Sequence, residues 1–325
     1  MNDRTTQVLA CLRQADGYLS GEKLCGQLGV SRTAVWKHIK QLREHGYTID
    51  SAPNRGYHLD GAPNAPLPFE VNPLLTTKRV GRTFHYLAET DSTNRVASRL
   101  ASEGTPEGTV VVADTQSAGR GRMQRVWFSP PGQNLYLSIV LRPQVLPLQV
   151  PQISLVIGIS LCRTIAWMFP ALQPRAKWPN DIFLGGRKLA GILCSMVAEM
   201  ERVQHIVVGI GINVNVVAFP AELEATATSL RLAGGEEVSR PELLAMLLGD
   251  VEEAYGQWLE QGLSSFLDEW NTYSLLTGRT VMVETLGQEV RGLVTGVSQT
   301  GTLILKLPDG TTREIVGGDV HVAKF

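Results

Sequence analysis

Cysteine is scarce in this chain, and no two cysteines are spaced as a metal-binding or redox motif. The four cysteines among 325 residues form no CxxC pair and no His/Cys cluster with zinc-ligand spacing. A secreted scaffold stapled by disulfides would need a denser set of cysteines. We interpret the four as buried thiols in a reducing compartment and expect a cytoplasmic protein.

The sequence also lacks a long uninterrupted apolar run. Its N-terminus has no signal-peptide stretch, and the most apolar window, 150–169, is broken by proline, glutamine, serine and arginine. A helix needs about 20 mostly apolar residues to cross a bilayer. We therefore predict a buried helix here and no association with membranes.

Neither sign of charge dominates the composition, and several common catalytic motifs are absent. The chain holds 30 Lys and Arg against 31 Asp and Glu, so any nucleic-acid surface must be local. A P-loop, an HExxH motif, a GxSxG motif and metal-ligand spacing among the six histidines are all missing. The 43% of hydrophobic residues is enough for a substantial core, and the length indicates two or three domains.

Composition changes twice along the chain and divides it into three segments. Four prolines between residues 61 and 74 predict an extended linker, and a helical pattern gives way to short alternating runs near residue 275. We predict an α+β multidomain protein. It has a winged helix-turn-helix over 1–60, a linker over 61–74, a central mixed α/β domain with one main sheet over 75–274, and a small β-barrel over 275–325.

The winged helix-turn-helix is predicted from the order of elements in the first segment. Apolar spacing indicates three helices, with Ser20 and Ser31 as N-caps of the second and third and Gly29 in the turn between them. A β-hairpin follows, with its tip at 53–56. This layout is typical of DNA-binding domains.

A positive face on the third helix and the hairpin predicts contact with DNA. Residues 31–58 carry five cationic and two acidic side chains, although the whole chain is slightly acidic. The alternative is a solvated helix face in a small interaction module; we favour DNA because motif and charge agree. The residues that we predict at the DNA are Ser31, Arg32, Thr33, Trp36, Lys37, Lys40 and Arg55.

Strands and helices alternate in the central segment. The predicted strands cover 109–113, 135–141, 188–197 and 205–214. The predicted helices follow Ser92 and cover 150–169 and 241–259. After residue 275, four short apolar runs separated by glycine turns predict the strands of the small barrel.

A stretch rich in glycine and arginine follows the first of these strands. Gly119 and Gly121 let the backbone approach a ligand closely, and the guanidinium groups of Arg120 and Arg122 suit a carboxylate or a phosphate. The alternative is a flexible basic surface loop. Upstream, Ser92 and Thr93 offer hydrogen bonds to a neutral polar ligand, as does Gln116, while the alternative role of Ser92 is an N-cap.

A second cluster spans residues 177–193. A turn after Lys177 and a glycine hairpin before Lys188 would direct both lysines toward one cleft. Two lysines and two arginines beside one carboxylate suit a nucleoside triphosphate with Mg²⁺, with Asp181 as the metal ligand. The alternative role of Asp181 is to cap the turn.

Seven short motifs occur in order along the chain. They are TDSTN at 90–94, QSAGRGR at 116–122, WFSP at 127–130, NLYLS at 134–138, KWPND at 177–181, RKLAGIL at 187–193 and GIGINVN at 209–215. Together with the predicted recognition helix at 31–39, this order resembles biotin–protein ligases of the bifunctional kind that also repress the biotin operon. The resemblance covers nearly the whole chain.

The resemblance implies an ATP-dependent ligase that makes biotinyl-5′-AMP and diphosphate, then passes biotin to a lysine of the biotin carboxyl carrier protein of acetyl-CoA carboxylase. It implies catalytic roles for Arg122, Lys177 and Lys188, and nucleotide contacts for Trp127, Lys177 and Asn213. The biotin contacts that it implies are Ser92, Thr93, Asn94, Gln116, Gly119, Arg120, Gly121, Arg122 and Lys188.

The resemblance also implies a biotin-responsive repressor, in which biotinyl-5′-AMP promotes a homodimer that binds a two-fold symmetric operator. Two positions depart from the family pattern: Met123 and Gln124 stand where glycine often recurs, and Ser195 stands where glutamate is common. Three alternatives stay open. They are a ligase with a non-regulatory N-terminal domain, a repressor that senses a small molecule without catalysis, and lipoate in place of biotin.

Overall fold

The computed structural model describes residues 3–199, 202–285 and 287–322. Its backbone divides into two compact units, Met1–Ala65 and Pro66–Phe325.

The first unit contains the three predicted helices: α1 (Asp3–Gln14), α2 (Gly21–Leu28) and α3 (Arg32–Glu44). Ser20 and Ser31 cap α2 and α3, since each side chain accepts a hydrogen bond from a first-turn backbone N–H. Gly29 ends α2 in the left-handed conformation, at a φ of 63°. These predictions are confirmed, and α3 buries Val35, Ile39 and Leu42 as its apolar stripe.

The predicted hairpin forms from β1 (Thr48–Ala52) and β2 (Gly56–Gly61), which pair antiparallel. A third, minimal strand is added by the bridge between Leu19 and Tyr57. Gly56 has a φ of 107°, and a Cβ there would lie 2.1 Å from the Leu19 carbonyl oxygen. The hairpin therefore needs glycine at this position to close against the segment before α2.

The proline-rich stretch is not extended throughout. It contains the helical turn α4 (Pro68–Val71) and a 3-10 helix (Asn72–Leu74). Proline is tolerated in the first turn of a helix, where its missing N–H has no partner to lose. Val71 is fully buried in the main core of the second unit, so tertiary packing outweighs the weak local helical signal.

Seven strands form the main sheet of the second unit: β3 (Phe84–Thr90), β4 (Val110–Gln116), β5 (Leu135–Leu141), β6 (Arg175–Lys177), β7 (Asp181–Leu184), β8 (Arg187–Glu199) and β9 (Arg202–Ile212). Their order is β3-β4-β5-β9-β8-β7-β6, and only β3 and β4 run parallel. The predicted single mixed sheet is confirmed.

Helices cover both faces of this sheet. On one face, α5 (Thr93–Ser102) packs through Ala97 and Ala101. On the other face lies the core that contains α6 (Pro151–Met168) and α9 (Arg240–Gln261). The shorter helices are α7 (Ala221–Glu224), α8 (Leu230–Gly234), α10 (Leu267–Tyr273) and the 3-10 turns Arg122–Gln124, Pro147–Gln149 and Leu263–Phe266.

Helix α6 belongs to the core of the protein. The segment Pro147–Met168 is long and apolar enough to cross a membrane, but 72% of its most apolar window is buried inside the protein. Twelve of the residues of α6 are buried, and they pack against the sheet and α9. The prediction of a buried helix at 150–169 is confirmed.

The C-terminal segment forms a five-stranded antiparallel sheet. Its strands are β10 (Thr280–Thr285), β11 (Gln288–Val297), β12 (Leu303–Lys306), β13 (Thr312–Ile315) and β14 (Asp319–Val322), in the order β13-β12-β11-β10-β14. The expected barrel closure is not found, because no ladder among the described residues joins β13 to β14. Strand β14 was not predicted; it has only four residues and follows two glycines.

Candidate active site

One cavity of about 580 Å³ in the second unit brings the predicted ligand-binding residues together. Its walls come from the start of α5, the end of β4, the loop after it, strands β7 to β9 and the segment around α7. The predicted residues that line it are Ser92, Thr93, Asn94, Gln116, Arg120, Gly121, Arg122, Trp127, Lys177, Asp181, Lys188 and Asn213. Gly119 does not line it directly.

At one end of the cavity, amide and hydroxyl groups hold each other in place. The Thr93 backbone N–H donates to Gln116 Oε1 (2.9 Å), so Gln116 satisfies a first-turn N–H of α5 that has no partner within the helix. Ser92 stands at the N-cap position, but its side chain makes no capping hydrogen bond. This geometry favours the ligand-binding role of Ser92 over the capping role, because its hydroxyl is not used by the helix.

Asn94 spans two strands of the sheet at this end. Its Nδ2 donates to the Leu193 carbonyl (3.2 Å), and its Oδ1 lies 2.6 Å from the hydroxyl of Ser138, which is fully buried. Gly209 lies between these two residues in the sheet, paired with both. A Cβ on Gly209 would be 2.0 Å from Asn94 Oδ1, so only glycine leaves room for this side chain.

Glycines also form the floor beneath Trp127. A Cβ on Gly211 would lie 2.6 Å from the Trp127 ring, and one on Gly191 would lie 3.2 Å from it. The indole therefore packs directly against backbone that carries no side chain, and its Nε1–H is buried without a hydrogen-bond partner among the described residues. A buried donor of this kind needs an acceptor, which a bound ligand can supply. The GIGINVN motif marked Gly211 in the sequence, but nothing in its spacing indicated that an indole ring packs against this glycine.

Gly119 lies outside the cavity lining, but its lack of a side chain leaves space for Gln116, which does line the cavity. Gly119 is buried, and a Cβ there would lie 2.8 Å from Ser129 Oγ and 2.9 Å from Gln116 Nε2. Any larger residue would therefore displace Gln116 from the start of α5.

The loop that carries Arg120 and Arg122 is closed by its own hydrogen bonds and by the C-terminal sheet. The Gly121 N–H donates to the Arg125 carbonyl (2.8 Å), and the Arg125 guanidinium forms an ion pair with Asp319 on β14. Met123 and Gln124 both have positive φ values, 53° and 59°. These are conformations that glycine adopts without strain, which explains why glycine would suit this part of the loop.

Positive charge dominates the rest of the cavity. Five cationic and two acidic side chains line it. Lys188 Nζ lies 2.7 Å from Asp181 Oδ1, and Arg122 Nη1 donates to Asn180 Oδ1 (3.2 Å). The expected convergence of both lysines on one cleft is found, and the arrangement suits an anionic ligand.

Burial lowers the pKa of Lys177; nearby Lys188 acts in the same direction, and Asp181 acts against them. An anion placed beside the Lys177 ammonium would favour its charged form and so oppose the effect of burial on its pKa. The Lys177 ammonium also lies over an aromatic side chain, with Nζ 5.4 Å from the centre of the Phe183 ring.

The described residues contain no group of three or more metal-ligating His, Cys, Asp or Glu side chains. Asp181 forms its ion pair with Lys188 through Oδ1, which is buried. Asp319, the other carboxylate of the cavity, is paired with Arg125. The Lys188 ammonium already engages Asp181 Oδ1, so a metal ion would compete with it and would need most of its ligands from elsewhere.

Asn213 lines the cavity with an amide that is already engaged. Its Nδ2 donates to the Thr228 carbonyl (3.1 Å), and its Oδ1 lies 3.5 Å from Asn134 Nδ2. Asn213 is buried, so it fixes the segment beside α8 against the end of β9. The aromatic pair Phe128 and Phe219, at 6.0 Å between ring centres, completes this wall and was not predicted.

In the first unit, the predicted DNA-facing residues lie on one exposed side of α3 and at the hairpin tip. Trp36 is 54% exposed, although large aromatic side chains are usually buried. Lys40 Nζ lies 5.8 Å from the Trp36 ring, and the Arg55 guanidinium stacks 3.9 Å over Tyr18. Ser31, Arg32, Thr33 and Lys37 are exposed on the same side.

Comparison with known proteins agrees with each part of the chain. Residues 4–58 match a helix-turn-helix domain, residues 86–213 match the biotin/lipoate A/B protein ligase family, and residues 277–322 match the biotin protein ligase C-terminal domain.

Relatives align with almost the entire chain. The bifunctional ligase/repressor BirA of Bacillus subtilis is 37% identical over 94% of this chain and 94% of its own. BirA of Escherichia coli is 33% identical over 99% and 98%. The biotin protein ligase of Aquifex aeolicus, solved with biotin and ATP, has a TM-score of 0.65 and 29% identity over 75% of this chain and all of its own. This chain therefore belongs to the family of bifunctional biotin protein ligases and repressors.

Proposed function

We propose that this protein joins biotin to ATP as biotinyl-5′-AMP, transfers the biotinyl group to a lysine of the biotin carboxyl carrier protein, and represses transcription in response to biotin. One observation supports the ligase chemistry above all others. A slot of amides and hydroxyls opens into a cavity lined by five cations, so a neutral ring and a polyanion fit side by side. The A. aeolicus ligase, similar to the second unit, binds biotin and ATP.

In the first half-reaction, a biotin carboxylate oxygen attacks the α-phosphorus of ATP and diphosphate leaves. Ser92, Thr93, Asn94 and Gln116 would hold the ureido ring, together with the backbone at 119–121. Arg122 and Lys188 would neutralise the carboxylate and the α-phosphate, whose charge repulsion otherwise opposes the attack. Such a step requires positioning and charge neutralisation and no protein nucleophile.

In the second half-reaction, the lysine amine of the carrier attacks the biotinyl carbonyl. The amine loses a proton and AMP leaves. Lys177 would orient the phosphates or the incoming amine, while Trp127 and Asn213 would contact the adenine. The hydrogen bonds of the Asn213 amide to Thr228 and Asn134 support a positioning role for it, since they fix the wall against which a base would rest.

Mg²⁺ accompanies ATP in this proposal. Asp181 would supply one protein ligand, and the phosphate oxygens would supply most of the others, as is usual for Mg²⁺ in nucleotide sites. The position of Asp181 in the cavity wall, beside the cations that would meet the phosphates, supports this assignment. Bound Mg²⁺ would withdraw electron density from the phosphates and shield their charge.

The repressor activity would use the first unit. We propose that α3 enters the major groove of a two-fold operator, and that biotinyl-5′-AMP promotes the homodimer that spans both half-sites. We also propose domain boundaries at 1–60, 61–74, 75–274 and 275–325, and a cytoplasmic location. The exposed Trp36 beside Lys40 supports the DNA contact, because solvent exposure of this side chain has no packing benefit.

Mass spectrometry tests the ligase directly. The protein is incubated with ATP, Mg²⁺ and either biotin or lipoate; we expect biotinyl-5′-AMP with biotin and no adenylate with lipoate. Lys188→Ala should slow diphosphate release about 100-fold through lost electrostatic stabilisation. Lys306→Ala, which removes an exposed lysine of β12, is the matched control. Absence of adenylate from the wild-type protein would refute the ligase.

A further inference from the structure

A second cavity of the same unit has a volume of about 830 Å³, and the charged residues that line it are all cationic. Its walls come from the turn before β6, the turn between β7 and β8, helix α8 and the segment that leads into β10. Arg175, Arg187 and Arg279 line it, and no carboxylate occurs among its lining residues, all of which belong to the described part of the chain. Neither the comparisons nor the proposed chemistry uses this cavity.

The three guanidinium groups are available to a partner. Arg175 donates from Nη1 to the Thr272 carbonyl (2.7 Å), which holds its side chain in place while the remaining N–H groups stay exposed. Arg187 and Arg279 are exposed and form no salt bridge with the acidic residues that the structure describes. Three like charges around one cavity repel each other, so an anionic partner would relieve this repulsion as well as form bidentate hydrogen bonds.

The arginine cavity lies behind the active-site cavity, across the hairpin of β7 and β8. Successive residues of a strand point to opposite faces, and here Lys188 lines the active site while Arg187 lines the arginine cavity. Phe183 and Leu184 on β7 divide in the same way, and Gly186 at the turn lines both cavities. A molecule that covers this turn therefore reaches both.

A small folded protein has the size to do this. A domain of about 80 residues has a radius of gyration of about 12 Å. It is therefore wider than the spacing of about 10 Å between packed layers, which is the distance that separates the two sides of the hairpin. Such a domain, with one lysine in the active site, would overlie the turn and the arginines behind it. Leu232, 43% exposed, lies in the arginine cavity as well, and apolar contact beside arginine is typical of protein interfaces.

We propose that the arginine cavity docks acidic side chains of the protein that receives the biotinyl group. This inference rests on the proposed ligase function and concerns only its second half-reaction. Arg175, Arg187 and Arg279 act in recognition of the protein substrate and take no part in forming the adenylate. Binding of a small free anion such as diphosphate is the competing use of the same charges.

The test compares the two half-reactions in the full-length protein. The triple variant Arg175→Gln/Arg187→Gln/Arg279→Gln keeps side-chain size and removes the charges. Its control, Arg291→Gln/Lys306→Gln/Arg313→Gln, removes three exposed cations of the C-terminal sheet that line neither cavity. Diphosphate release without carrier measures the first half-reaction, and biotin transfer to an unmodified carrier domain, at increasing carrier concentration, measures the second.

We expect the triple variant to form the adenylate at the wild-type rate and to lose at least tenfold in kcat/KM for the carrier, mainly through KM. Raising NaCl from 50 to 300 mM should weaken transfer by the wild type and the control more than by the triple variant. A carrier KM within twofold of wild type would overturn the proposal, and so would diphosphate binding that the triple variant abolishes while carrier KM stays unchanged. Failure of the wild type to form any adenylate would instead refute the ligase function.

Discussion

Gly209→Ala tests the claim that the polar slot formed by Ser92, Thr93, Asn94 and Gln116 requires a residue without a side chain next to Asn94. The added Cβ would lie 2.0 Å from Asn94 Oδ1, whereas ordinary contact begins at 3.4 Å, so the oxygen must retreat by about 1.4 Å. That shift breaks its contact with Ser138 and pulls Nδ2 away from the Leu193 carbonyl. Because Ser138 is fully buried, its hydroxyl is left with poorer hydrogen bonding.

The expected loss is about 2–4 kcal/mol of unfolding free energy, from two hydrogen bonds at about 1 kcal/mol each and the cost of a poorly satisfied buried hydroxyl. If no clash occurred, replacing this strand glycine with alanine would raise the free energy of unfolding by about 0.5–1 kcal/mol. The presence and the absence of the clash therefore predict changes of opposite sign in the free energy of unfolding. Urea unfolding of the second unit, followed by tryptophan fluorescence, measures the change, and calorimetry should show biotin binding weakened at least tenfold.

Two further variants make the test specific. Gly158→Ala on α6, where a Cβ would meet only ordinary contacts of 3.7–3.8 Å, should be neutral or slightly stabilising. In an Asn94→Ala background, Gly209→Ala should cost less than about 0.5 kcal/mol, because the clashing side chain is gone. The clash would be refuted if the two substitutions lowered the free energy of unfolding additively. It would also be refuted if Gly209→Ala alone left stability and biotin affinity unchanged.

Three other predictions concern the nucleotide, the loop and the DNA. Burial lowers the pKa of Lys177, and a bound anion favours its charged form, so affinity for a non-hydrolysable ATP analogue should fall as pH rises through that lowered pKa. Calorimetry near this pH should detect proton uptake on binding, and Lys177→Met should remove that uptake. Arg122→Gly should release the adenylate faster by losing charge and the Asn180 contact, and unchanged retention in a release assay would contradict this. Lys37→Ala should weaken operator binding and lower its salt slope by about 1, and deletion of residues 1–60 should abolish DNA binding while sparing adenylate formation.

Local patterns were sufficient to predict most elements of this fold. The alternating run at 135–141 is β5 to the residue, and the apolar window at 150–169 differs from α6 by one residue at each end. Serine caps and a left-handed glycine bound the first helices as expected. These features depend on neighbours in sequence, so the sequence contains their signal.

Contacts between distant residues were not predictable in the same way. Arg125 meets Asp319, and Asn94 needs glycine at 209, but neither pair has a spacing that marks it. The helical turn at 68–71 forms because Val71 enters a core built by later segments. The cluster of cations was expected from motifs, whereas the arginine cavity combines Arg175, Arg187 and Arg279, which share no motif and no regular spacing.

The ion pair between Arg125 and Asp319 has a consequence for synthesis of the chain. Asp319 follows Arg125 by 194 residues, so the ribosome makes the arginine long before its partner. The loop over the cavity can acquire this tether only when the final strand has left the exit tunnel. A nascent chain that lacks β14 would therefore carry this loop without its tether.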